Sequence, residues 1–250
     1  MSWIINMQVI NPNWNVPKNI HAFTTTREGG VSLTPYFSFN LGDHVGDNKS
    51  AVKTNRTLLV EKFGLPQTPI FLTQTHSTRV IQLPYSGQNL EADAVYTNVR
   101  NQVCVVMTAD CLPVLFTTTS GNEVAAAHAG WRGLCDGVLE ETVKCFQAKP
   151  EDIIAWFGPA IGPTAFQVGI DVVKQFVAVD EKAKLAFQPD AMEEGKYRGN
   201  LYQIATQRLN NLGITQIYGG NHCTFNEKEL FFSYRRDNQT GRMASVIWFE

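Results

Sequence analysis

Apolar and polar positions along the chain resolve into many short β-type runs and a few helical ones. The stretch "HAFTTTREGGVS" (21–32) predicts a strand entering a Gly-Gly turn. In "AVKTNRTLLVEKFG" (51–64), Val52, Leu58, Leu59 and Phe63 share one helical face, with Ser50 as the expected N-cap and Gly64 as the stop. "TPIFLTQTH" (68–76) and "STRVIQL" (77–83) predict two strands meeting at His76. "ADAVYT" (92–97) is a short β-rich run. "QVCVVMTAD" (102–110) is nearly all apolar at its centre, as in a strand buried on both faces.

A hairpin follows. "PVLFTTT" and "EVAAAHA" flank the turn "SGN" at 120–122. In the second arm Val124, Ala126 and His128 point one way and Ala125, Ala127 and Ala129 the other. The small residues imply that something packs closely against that face. "LCDGVLEETVKCF" (134–146) predicts one helix and "DIIAWFG" (152–158) a strand. "IGPTAFQVG" (161–169) reads as loop and "DVVKQFVAV" (171–179) as helix. In "NLYQIATQRLNNLG" (200–213), Asn200 caps a helix with Leu201, Ile204, Leu209 and Leu212 on its apolar stripe, and Gly213 ends it. "ITQIYG" and "RMASVIWF" are strands, and the polar stretch 181–199 is expected to be an exposed excursion. Strict βαβ alternation is missing. The expected fold class is therefore α+β: a single domain, residues 1–250, with mixed β-sheets and flanking helices.

Composition narrows the function classes. The 250 residues are 44% hydrophobic and 18% charged, with a net charge of -2. That balance argues against a protein built to grip nucleic acid or anionic lipid. No apolar run is long enough to span a membrane, and the N-terminus lacks a secretory signal pattern. The five cysteines are an odd number without a C-x-x-C pair, which favours reduced thiols and a cytoplasmic location. No glycine-rich stretch matches a dinucleotide or P-loop signature.

Three chemistry-bearing residues fall at predicted strand ends: His76, Cys111 and His128. One thiolate and two imidazoles suit Zn²⁺ or copper, with a coordination position left over for water or substrate. The same residues would serve as a cysteine nucleophile with its base, or as inert core residues. Spacing does not separate these readings. Asp93, in "EADAVYT", either orients a ligand histidine or caps a turn. Asp110, if it shared a strand with Cys111, would face away, so it receives no catalytic role. Cys104 and Cys145 read as core, and "NHC" at His222–Cys223 is a weak second metal candidate.

The motifs "TADCLPVLF", "AAAHAGWRGL", "FGPAIGP", "NLGDHVGD" and "FFSYRRDNQTGRMASVIW" occur in one chain and in one order. Together they closely resemble the YfiH-like family, described both as multicopper polyphenol oxidoreductase (laccase-like) and as zinc-dependent purine nucleoside phosphorylase. The resemblance implies a metal held by His76, Cys111 and His128, and a sheet sandwich like that of cysteine-hydrolase toxins. It implies phosphorolysis of adenosine, inosine and guanosine, deamination of adenosine, and a nucleoside and phosphate as small-molecule partners. Zinc is the expected cofactor, with copper the runner-up. A multicopper oxidase needs more histidines than the five present, which weakens the laccase reading. The same residues leave open a cysteine- or metal-dependent amide hydrolase acting on peptidoglycan precursors, and a non-enzymatic binding module. Asn40, His44, Arg56 and Arg235 are the expected substrate-binding residues, for hydrogen bonds and charge toward ribose and phosphate. Arg132 ranks below Arg235. The family usually has "Q-x-H-G" where this chain has "QTHS", and Ser77 is expected to narrow the pocket.

Overall fold

A computed structural model describes residues 7–250. Two sheets lie face to face, with helices on both outer sides. The smaller sheet has four antiparallel strands in the order β1 (Val9–Ile10), β2 (Ile20–Thr25), β13 (Met243–Phe249), β5 (Cys104–Thr108). The larger has six in the order β12 (Gln216–Gly219), β8 (Ile153–Phe157), β6 (Leu112–Thr118), β7 (Val124–Ala129), β4 (Ala94–Thr97), β3 (Val80–Leu83). Its two outer pairs are parallel and its inner pairs antiparallel. A third small sheet joins β10 (Phe187–Pro189), β11 (Lys196–Gly199) and β9 (Gln167–Gly169). The domain is α+β, as the mixed pattern predicts. No described helix is long and apolar enough to cross a membrane.

Period-two alternation assigns each side chain to a layer. Leu115, Val124, Ala126 and Trp156 of the large sheet meet Cys104, Val106, Ile247 and Phe249 of the small one. The opposite face of the large sheet, with Phe116, Ala125, Ala127, Ala129 and Ala155, packs on α2 (Trp131–Asp136), α3 (Val138–Val143), α4 (Ile170–Val179) and α5 (Leu201–Asn211). The three alanines of β7 admit these helices closely, which is what the small-residue run required. α1 (Lys49–Phe63) covers the outer face of the small sheet through Leu59, against Phe23, Val105 and Trp248. At roughly 2 kcal/mol per fully buried large apolar side chain, these layers supply the main driving force for folding.

Several expectations need correcting. The cap of α1 is Asn48, whose side-chain oxygen accepts from the backbone of Ser50 and Ala51; Ser50 lies inside the helix. The single helix expected over 134–146 is two, α2 and α3, broken at Gly137, whose φ of +104° continues no α-helix. The segment 68–76 is not a strand. Instead the Gln74 amide pairs with Met107, donating to its carbonyl and accepting from its N–H, both at 2.7 Å. One side chain thus replaces a strand partner along the edge of β5. Residues 181–199 are not wholly exposed, because Ala183, Ala186 and Phe187 are buried and β10 and β11 form there.

Candidate metal centre

The site sits where the gap between the two sheets opens at one end. β5 belongs to the small sheet and β6 to the large one, so the chain crosses between sheets at Ala109–Cys111. Asp110 makes that crossing with a φ of +93°, a region a non-glycine residue adopts at a cost. Its buried carboxylate fixes the turn: Oδ1 accepts from Thr224 Oγ1 at 2.6 Å and Oδ2 from the Arg235 backbone N–H at 2.6 Å. Cys111 follows immediately, half-buried. Strand alternation gave Asp110 no role, yet its turn positions Cys111.

His128 is the penultimate residue of β7, on the side facing the sheet–sheet gap, and is buried. Its Nδ1 bonds Asp93 Oδ1 at 2.7 Å, which leaves Nε2 for the cluster. Asp93 does more than orient one ring. Its carboxylate also accepts from the backbone N–H groups of Thr75, His76 and Ser77 at 3.1, 3.0 and 2.6 Å. The loop carrying His76, itself at φ +62°, is therefore held by the group that holds His128. Ser77 does not narrow the pocket as expected: its hydroxyl donates to Asp93 Oδ2 at 2.8 Å.

One ligand atom each from His76, Cys111 and His128 lies within 4.8 Å of the others. Cys111 Sγ is 3.6 Å from His76 Nε2. Two tetrahedral ligands at about 2.3 Å (sulfur) and about 2.1 Å (nitrogen) from one ion stand about 3.6 Å apart. The residues fit a metal of zinc or copper type. Gly130 leaves room for the cluster: a Cβ there would stand 2.8 Å from His76 Nε2 and 3.1 Å from Cys111 Sγ. Among the described residues this is the single such cluster. His222 instead bonds Glu227 at 2.9 Å, and Cys223 Sγ accepts from the Gly162 N–H.

The charges inside the cluster support one another. Burial alone would push the Asp93 carboxyl up, but the His128 bond and charge and the two Ser77 bonds outweigh it and hold it at about 2. Burial likewise opposes the Cys111 thiolate, yet the His128 charge and bonds to both imidazoles bring the thiol below its ordinary value. Burial disfavours the His128 imidazolium, and the Cys111 and Asp93 charges raise it regardless. The sulfur is thus favoured as thiolate, the form a metal or an electrophile meets.

Around this cluster lies a cleft of about 480 Å³, a size suited to a small organic ligand. His44, Trp131, Phe166, Tyr234 and Arg235 line it. Of the four expected substrate-binding residues, His44 and Arg235 reach this cleft, and Arg235 Nη1 also holds the Gln167 carbonyl at 2.9 Å. Asn40 does not. It is fully buried, donating to the Gly42 carbonyl and Asp47 and accepting from the N–H groups of Gly42 and Arg242. Arg56 lies in a neighbouring groove, stacked 3.8 Å over Phe71 with Nε on the Leu41 carbonyl and Nη2 3.3 Å from Asp43. Asn40 braces its own loop through Gly42 and Asp47 and ties it to Arg242, and Arg56 is held by Leu41, Asp43 and Phe71 close by in the chain. Trp131, Phe166 and Arg242 also line the cleft, though the sequence pattern did not mark them for it. The first two were legible only as aromatics near motif glycines.

A two-sheet α+β domain with an Asp-braced His–Cys–His cluster at the sheet gap defines a class of proteins. A family model described as multi-copper polyphenol oxidoreductase laccase matches residues 21–250, and the chain belongs to that family. Within it the chain falls among the YfiH proteins. A Haemophilus influenzae protein named purine nucleoside phosphorylase is 94% identical over 244 residues, covering 98% of this chain and 100% of its own. Escherichia coli K12 purine nucleoside phosphorylase YfiH is 56% identical, covering 96% and 98%. The crystal structure of a Neisseria meningitidis protein superimposes with a TM-score of 0.91 at 45% identity, covering 98% of this chain and 99% of that one.

Proposed function

We propose that this protein is a cytoplasmic, zinc-dependent purine nucleoside phosphorylase acting on adenosine, inosine and guanosine, with adenosine deamination in the same cleft. The observation that carries the reading is the His76–Cys111–His128 cluster, with ligand atoms within 4.8 Å, inside a cleft lined by aromatics and arginine. The names of the relatives support the same reaction. His76, Cys111 and His128 would hold the metal. Zinc in that set would supply a redox-inert Lewis acid.

The chain's own residues do the rest. Asp93 keeps His128 in one tautomer with Nε2 toward the cluster. Trp131 and Phe166 offer flat apolar surface for a purine. Arg235, at the exposed side, draws phosphate toward the ribose, and His44 beside it offers a neutral ring nitrogen for a hydrogen bond, since burial and Arg242 disfavour its charged form. Phosphorolysis joins a phosphate oxygen to the ribose anomeric carbon as the bond to the purine nitrogen breaks. The departing base needs a proton.

A second reading has a specific observation in its favour. With Cys111 Sγ 3.6 Å from His76 Nε2 and an Asp–His pair adjacent, the metal-free cluster has the parts of a cysteine nucleophile and base, as in amide hydrolases. Copper in the same ligands would bring laccase-like chemistry. One cluster among the described residues makes that reading weaker, since a multicopper oxidase binds several ions. Metal stoichiometry and a product profile on one preparation test all three. Zinc near one per chain, with ribose 1-phosphate and free base formed, supports the proposal. Phenol oxidation or amide cleavage without nucleoside turnover refutes it.

A further inference from the structure

The cleft contains a guanidinium with no carboxylate partner. Arg242 is half-buried and immediately precedes β13. Its Nη1 donates to the carbonyls of Thr240 and Gly241, both at 3.0 Å, and its backbone N–H donates to Asn40 Oδ1 at 2.9 Å. The side-chain stem lies against Gly42, where a Cβ would meet Arg242 Cγ at 2.8 Å. The side chain is thus fixed at its root and at one nitrogen. Among the described residues no acidic side chain forms an ion pair with it. Asp110 is the single acidic residue lining the cleft, and both its oxygens are already engaged by Thr224 and the Arg235 N–H.

Burial opposes the charge of this arginine. A half-buried guanidinium without an ion-pair partner is costly unless an anion arrives. Arg132, stacked over Trp131, and Arg235 line the same cleft, and neither makes an ion pair among the described residues. Three guanidiniums converge on one cavity, and the inner one is the best anchored.

We infer that Arg242 is the inner anchor for a phosphate dianion in this cleft, with its free guanidinium edge turned to the anion. The assignment deepens the phosphorolysis reading by naming the residue that selects the phosphate. The phosphate is either free or esterified on the nucleoside, and the recognising chemistry is the same: a planar fork meeting two oxygens.

Calorimetric titration of inorganic phosphate, and separately of adenosine 5′-monophosphate, tests it. Wild-type, Arg242→Gln and Arg242→Lys proteins with matched metal content are compared. The glutamine variant is expected to bind phosphate at least tenfold more weakly, while adenosine affinity changes less than twofold. The lysine variant keeps the charge but loses the fork, and a loss of about threefold is expected. A loss for inorganic phosphate identifies the free anion; a loss confined to the monophosphate identifies the ester. Either supports the assignment. Unchanged affinity for both anions in Arg242→Gln overturns it. If that variant fails to fold, unchanged affinity in Arg242→Lys overturns it equally. Wild-type protein that binds phosphate through Arg242 but splits no nucleoside would refute the proposed function and leave this assignment standing.

Discussion

Replacing Gly130 by alanine separates the metal site from the fold. Gly130 precedes α2 with φ -60° and ψ 155°, a conformation open to any residue, so the backbone resists nothing. Through the unfolded chain alone the change contributes about 0.4–1 kcal/mol of stability, which offsets part of the roughly 1–3 kcal/mol that overpacking costs. The new methyl, however, would sit 2.8 Å from His76 Nε2 and closer still to Cδ2, inside the distance real Cβ atoms keep. Ordinary contact begins at 3.4 Å, so the ring must retreat by roughly 0.6 Å at Nε2 and further at Cδ2. A ligand set tolerates about 0.5 Å before coordination suffers, and a displacement near 1 Å can cost about 100-fold. His76 also has little freedom to move, since Asp93 holds its backbone N–H and those of both neighbours. The expected result is zinc affinity reduced about 100-fold, or roughly 2.7 kcal/mol, with a metal-free unfolding midpoint within a few degrees of wild type. Competition titration with a chromogenic chelator reads the first quantity and thermal unfolding of metal-free protein the second. Stoichiometric zinc bound with wild-type affinity would refute the steric argument and, with it, the role of His76 as ligand.

Other outcomes follow from the same geometry. Asp93→Asn removes the ionic acceptor for His128 and for three backbone N–H groups, so zinc affinity should fall about 10- to 100-fold, read by the same competition. Asn40→Ala strips buried partners from Gly42, Asp47 and Arg242, and urea unfolding should show a loss of about 3 kcal/mol. Chelation should lower the melting temperature without unfolding the chain, because the sheet–sheet core owes nothing to the metal. At zinc about 1,000-fold above Kd the difference is about 4 kcal/mol, or roughly 10 °C for a domain of this size. A chain that unfolds outright on chelation would contradict this.

The sequence by itself determined what depends on neighbours along the chain. α5 carries its own start at Asn200, whose side chain accepts from the Gln203 N–H, and its own end at Gly213. The hairpin of β6 and β7 follows from alternating apolar positions around a tight turn, and the alanine face of β7 announced the helices packed on it. The three cluster residues were nameable from the motifs that carry the family resemblance, whereas thiol and imidazole types alone left a metal site, a nucleophile with its base and an inert core equally open. Tertiary structure alone decided whether they meet. The ends of the trio lie 52 positions apart in the chain, yet its convergence rests on a crossing between sheets at Asp110, whose carboxylate is held by Thr224 and Arg235 more than 100 residues away. Gln74 in place of a strand, Asn40 as an interior brace, Arg56 in the neighbouring groove and Arg242 in the cleft are the same kind of fact. Each depends on which atoms the folded chain brings to a side chain's donors and acceptors, and that is set by packing in three dimensions.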